Sequence, residues 1–62
     1  MYKVFSNYGY NSEELIAECD TLGHAINYFR NFISEWAQPG ERVEIISFAD
    51  DGEAVTYKVW PR

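Results

Sequence analysis

Between Thr21 and Pro39 the large apolar residues recur at the spacing of a helix, and this single stretch dictates most of what the chain can become. Leu22, Ala25, Ile26, Phe29, Ile33 and Trp36 fall on one face. Asp20 and Thr21 precede them and offer side-chain oxygens to the unpaired N–H groups of a first turn. Pro39-Gly40 follows, where proline cannot continue the ladder and glycine accepts a reversal. A lone amphipathic helix has no stability of its own, so its apolar stripe must be covered by the rest of the chain.

The flanking segments are suited to cover it. Tyr2 to Asn7 alternates as a strand does, Tyr8-Gly9-Tyr10-Asn11-Ser12 supplies turn residues, and Glu13 to Cys19 alternates again. After the helix, Glu41 to Ala49 and Ala54 to Trp60 are rich in β-branched and aromatic residues. Asp50-Asp51-Gly52-Glu53 between them carries an Asp-Gly hairpin signal. The order is ββαββ, an α+β class. A helix returning across the sheet sets the third strand parallel to the second. Placing the third strand beside the first then makes every pairing antiparallel, in the order 2-1-3-4. Residues 1–62 are expected to form one domain, since this length lies near the lower limit for a chain without disulfides or metals.

Composition narrows the function. Hydrophobic residues make up 47% of the chain and aromatic ones 18%, enough for a core built around rings and too much for disorder. One cysteine, Cys19, allows neither an internal disulfide nor a multi-thiolate metal site, which fits a reducing, cytoplasmic setting. The start Met1-Tyr-Lys-Val-Phe-Ser lacks the apolar stretch of a signal peptide, and no run is long enough to cross a bilayer, so no membrane partner is expected. A net charge of −5 repels phosphate backbones, which disfavours direct nucleic-acid binding and favours partners with basic surfaces. The same charge also serves plain solubility.

One helix can cover only one face of the sheet, and alternation sorts the strand residues between the two. Tyr2, Val4, Leu15, Ala17, Cys19, Val43, Ile45, Val55, Tyr57 and Val59 form a mostly aliphatic set expected to meet the helix. The other set joins Phe5, Ile16, Ile46, Phe48 and Trp60 with Lys3, Thr56, Lys58 and the carboxylates Glu14, Glu18 and Glu44. A solvent face with five large apolar groups has the makings of an interaction site. Two arrangements would hide those groups instead. Phe48 and Trp60 can fold over the rim from strand ends while Phe5 and Ile16 form a cross-strand pair, or a homodimer can pack sheet on sheet. Tyr28 and Phe32, on the flank of the helical stripe, are expected to finish the core.

Catalytic and metal motifs are sparse. Cys19 and His24 stand five positions apart across a strand-to-helix junction, a spacing more consistent with a buried thiol beside a surface imidazole than with a nucleophile and its base. The acidic turn lacks the twelve-residue ligand spacing of a calcium loop, and no glycine-rich phosphate loop occurs. No enzyme activity, cofactor or metal is therefore expected. Exposed rings on a sheet are also how some RNA-binding sheets stack bases, but here Glu14, Glu18 and Glu44 oppose that use. The same acids admit the inverse idea of a nucleic-acid mimic occupying a basic groove, such as that of a CRISPR or restriction effector.

Ile16-Ala-Glu-Cys-Asp-Thr-Leu-Gly-His-Ala-Ile, a strand entering a capped helix, is followed by Pro39-Gly40 and the strand Val43-Glu-Ile-Ile. Over about forty residues this resembles the small RNA polymerase inhibitor of T7-type phages. That family presents arginines to the polymerase from its third strand, where this chain has Glu44, Ile46 and Phe48. In type, a compact acidic chain of this size also resembles phage-encoded inhibitors of host defence, including anti-CRISPR proteins. The resemblance implies a stoichiometric inhibitor of a host protein or complex, acting in the host cytoplasm. The expected contact surface is the open sheet face, with Phe5, Ile16, Ile46, Phe48 and Trp60 as apolar contacts and Glu14, Glu18 and Glu44 steering. A homodimeric adaptor module is the alternative.

Overall fold

A computed structural model describes residues 1–61 and has the expected architecture. Strands β1 (Tyr2–Ser6) and β2 (Glu14–Cys19) form a hairpin, α1 (Leu22–Glu35) follows, and β3 (Val43–Phe48) and β4 (Ala54–Trp60) form a second hairpin. The sheet order is β2-β1-β3-β4 and all three pairings are antiparallel. The helix packs on β1, β2 and β3, and its backbone does not extend over β4, which reaches the core through Trp60.

Local chemistry explains the boundaries. Thr21 is the N-cap in extended conformation, and its Oγ1 accepts from the His24 N–H at 3.3 Å. Gly52, at φ 87°, closes the β3–β4 turn in the left-handed region that the Asp-Gly pair anticipates. Asn7 extends the β1–β3 ladder by one residue: its N–H donates to the Arg42 carbonyl at 2.6 Å, and its Oδ1 accepts from the Arg42 N–H at 3.0 Å. Asn7 itself has φ 55°, a conformation asparagine tolerates better than most residues.

The core lies between helix and sheet. Val4, Cys19, Val43 and Ile45 from the strands meet Ala25 and Phe29 from the helix, and Tyr2, Ile16, Ala17, Leu22, Ile26, Phe32, Ile33, Ala37 and Trp60 pack around them. Several face assignments made from alternation are corrected here, and each correction has a physical cause. In the β1–β2 pairing Val4 stands opposite Ala17 and Phe5 opposite Leu15, so Ile16 is an extra, unpaired residue. The bulge inverts everything N-terminal to it in β2. Leu15 turns to the helix-free face, where it is 46% exposed, and Glu14 comes into register with Ser6 on the helix side. Ile16 packs against the core.

A second shift acts in β4. Ile45 stands opposite Lys58 and Ile46 opposite Thr56, leaving Tyr57 unpaired. Beyond it, Trp60 falls opposite Val43 and packs on the helix-side core, while Val59 falls opposite Glu44 on the other face. Val55 and Tyr57, expected in the core, are exposed because the helix does not reach β4. Trp36 also departs from its expected burial. The helix is still seated on the core at this end, since Phe32, Ile33 and Ala37 pack against it, but the helical conformation stops at Trp36 (φ −128°, ψ −27°), so the periodicity of the buried stripe does not carry to that residue. Trp36, the C-cap residue, is 70% exposed.

Candidate interaction surface

The helix-free face is assembled in rows by the strand register. Leu15, Phe5, Glu44 and Val59 form one row, and Glu18, Lys3, Ile46 and Thr56 the next, with Phe48 opposite Ala54 beyond them. Of the residues expected on this face, Phe5, Ile46, Phe48, Glu18 and Glu44 are brought together there. Ile16, Trp60 and Glu14 are not, for the reasons of register just given.

The apolar groups on this face are largely covered by the chain's own side chains. Ile46 is 1% exposed and Phe5 8%, although no second layer lies over them. The Tyr8 ring folds back from the β1–β2 turn onto Phe5, with ring centroids 4.7 Å apart and planes tilted by 48°. The Lys3 ammonium lies 3.7 Å from the Glu18 carboxylate and 5.0 Å from the centre of the Phe48 ring. Its stem can therefore lie along the apolar surface while the charge stays at the rim. Glu44 is buried and doubly held, accepting from Thr56 Oγ1 at 3.1 Å and lying 3.0 Å from Arg42 Nε. A buried carboxylate with a guanidinium and a hydroxyl as partners is committed to the fold and is not displayed for steering.

The exposed rings stand elsewhere: Tyr28 on the helix, Tyr57 on β4, and Trp36 and Tyr10 at the end of the sheet where Ser6, Glu14, Val43 and Trp60 stand in one row. The helix finishes there with Trp36. The Tyr8–Ser12 turn leaves from there carrying Tyr10, which is 61% exposed. An open cleft of about 540 Å³ is lined by Asn7, Tyr10, Ser12, Gly40, Glu41, Arg42 and Pro61. Its framework is tied down from several sides. The Glu41 carboxylate accepts from the Gln38 N–H at 2.8 Å and from the buried Ser6 hydroxyl, and the Glu13 carboxylate accepts from the Gly9 N–H at 2.9 Å. Glu13, Glu14 and Glu35 are exposed at the same end.

Trp36 and Tyr28 were expected in or beside the core and are exposed, although Phe32 packs there as expected, and Tyr10 carried no expectation as a surface ring. Helical spacing placed Trp36 on the buried stripe, but the helix ends at Glu35 and Trp36 is its C-cap, three residues before the Pro39-Gly40 stop on which the reading relied. Tyr10 lies in a turn, where an exposed ring carries no periodic signal.

The remaining chemistry is quickly placed. Cys19 is sealed in the core and His24 is exposed in the first helical turn. Among the described residues no group of three or more His, Cys, Asp or Glu side chains gathers as a metal site would require, and no helix is long and apolar enough to cross a membrane. No protein-family model matches the chain, and comparison with curated proteins and with solved structures gives no match.

Proposed function

We propose that this chain is a non-catalytic protein-binding domain that docks stoichiometrically on a partner with a basic surface, as small phage and mobile-element inhibitors of host proteins do. The observation that carries this reading is Trp36. A domain of this length has little apolar area to spare, yet its largest side-chain type stands 70% exposed at a capped, hydrogen-bonded helix end. Tryptophan and tyrosine are the residues on which binding energy concentrates at protein interfaces. Tyr10 lies at the same end. Among the described residues the exposed carboxylates of Glu13, Glu14 and Glu35 border it, while Arg42, the base nearest the cleft, is drawn to Glu44. That charge balance suits a partner rich in lysine or arginine, chiefly by raising the association rate.

The docking contact therefore moves from the broad sheet face to the end that carries Trp36 and Tyr10. Phe5, Ile46 and Glu44 support this surface from within the fold, and Glu14 is the residue of the expected acidic border that reaches it. The test is capture from a bacterial lysate with the intact chain as bait, run beside Trp36→Ala and Tyr10→Ala. Trp36→Ala is expected to weaken capture by roughly 30-fold or more, the loss typical of a hot-spot residue, without lowering thermal stability. A partner retained equally by Trp36→Ala sinks the proposal. Sedimentation of the same variants separates the adaptor alternative, since a dimer that dissociates on Trp36→Ala assigns this end to self-association.

A further inference from the structure

We draw no further inference here: the strongest candidate, the open cleft between the β1–β2 turn and the start of β3 lined by Asn7, Tyr10, Glu41, Arg42 and Pro61, belongs to the docking end already described, its Glu41 carboxylate and Asn7 amide oxygen are used in holding the chain together, and nothing in the structure shows what fills it.

Discussion

Replacing Phe5 by alanine separates a covered sheet face from an open one. If the helix-free face were a solvent-exposed docking patch, the ring would be dispensable for folding. The structure predicts the opposite. Phe5 is 8% exposed, and Phe→Ala at buried sites costs about 3–5 kcal/mol. Its tilted contact with Tyr8 adds about 0.5–1.5 kcal/mol of pairing. Because the cover is a single layer of side chains that can partly collapse into the space, the lower end applies, about 3 kcal/mol. A chain of 62 residues has a total stability of about 3–9 kcal/mol, so the variant should lose a third of it or more. Urea unfolding followed by tryptophan fluorescence reads this directly: with a slope of about 1 kcal/mol per molar, the midpoint should fall by roughly 3 M, or the variant should be unfolded in buffer. Trp36→Ala, at an exposed position, should stay within about 0.5 kcal/mol in the same assay. A Phe5→Ala midpoint within about 1 M of the parent would refute the argument, because the ring would then be contributing no more than a surface residue.

Further tests probe the other supports. Thr21→Ala removes the oxygen that accepts from His24 N–H and should cost about 1 kcal/mol, read as a lower urea midpoint; an unchanged midpoint would mean the cap bond is not formed in solution. Glu44→Gln keeps the shape and an acceptor for Thr56 but removes the charge facing Arg42, and should cost about 1–2 kcal/mol in chemical denaturation. Gly52→Ala meets no atom within 4 Å, so its expected loss of about 1 kcal/mol comes from φ 87° alone; a neutral result would show that the turn relaxes. Lys3→Met retains an apolar stem over the sheet and gives up a partly exposed ion pair, so stability should change by less than about 0.5 kcal/mol. A larger loss would make the charge, and not the stem, the important cover.

The element order, the helix with its cap and the sheet order 2-1-3-4 were legible in the sequence because each rests on a strong local signal or on topology. Helical spacing from Leu22, the Thr21 oxygen, the Asp51-Gly52 turn and the need for an all-antiparallel sheet agree with one another. The two faces of the sheet were legible only in part, because alternation assumes an unbroken register. One extra residue in β2 and one in β4 inverted Glu14, Leu15, Lys58, Val59 and Trp60. A trace of both irregularities is present: Leu15-Ile16-Ala17 and Val59-Trp60 place large or apolar residues side by side where strict alternation would separate them. Neither run contains the glycine that would have marked a bulge more plainly. Coverage of Phe5 and Ile46 was illegible for a different reason. For Phe5 it depends on where Tyr8 lays its ring, and sequence spacing carries no information about that.

These irregularities bear on where such a small domain can meet a partner. Its two sheet edges are poor templates for an added strand: β2 is bulged at Ile16 and bears Glu14 and Glu18, and β4 is irregular at Tyr57 and bears Lys58, the features by which edges resist pairing. The helix side is taken by the core except along β4, where Val55 and Tyr57 are exposed, and on the opposite side the Tyr8 ring lies on Phe5 and the Lys3 ammonium between Glu18 and Phe48, with Leu15 left half-exposed. A partner seated on that face would find Leu15 half-exposed, but to reach Phe48 or Phe5 it would have to lift the Lys3 ammonium from Glu18 and Phe48 or displace the Tyr8 ring. At the end of the sheet no such rearrangement is needed. Trp36 is already in water, and Tyr10 projects from a turn braced by the Glu13 carboxylate. The backbone under each ring is already fixed by hydrogen bonds, so binding has only side-chain torsions to order, which keeps the conformational cost of a small contact area low.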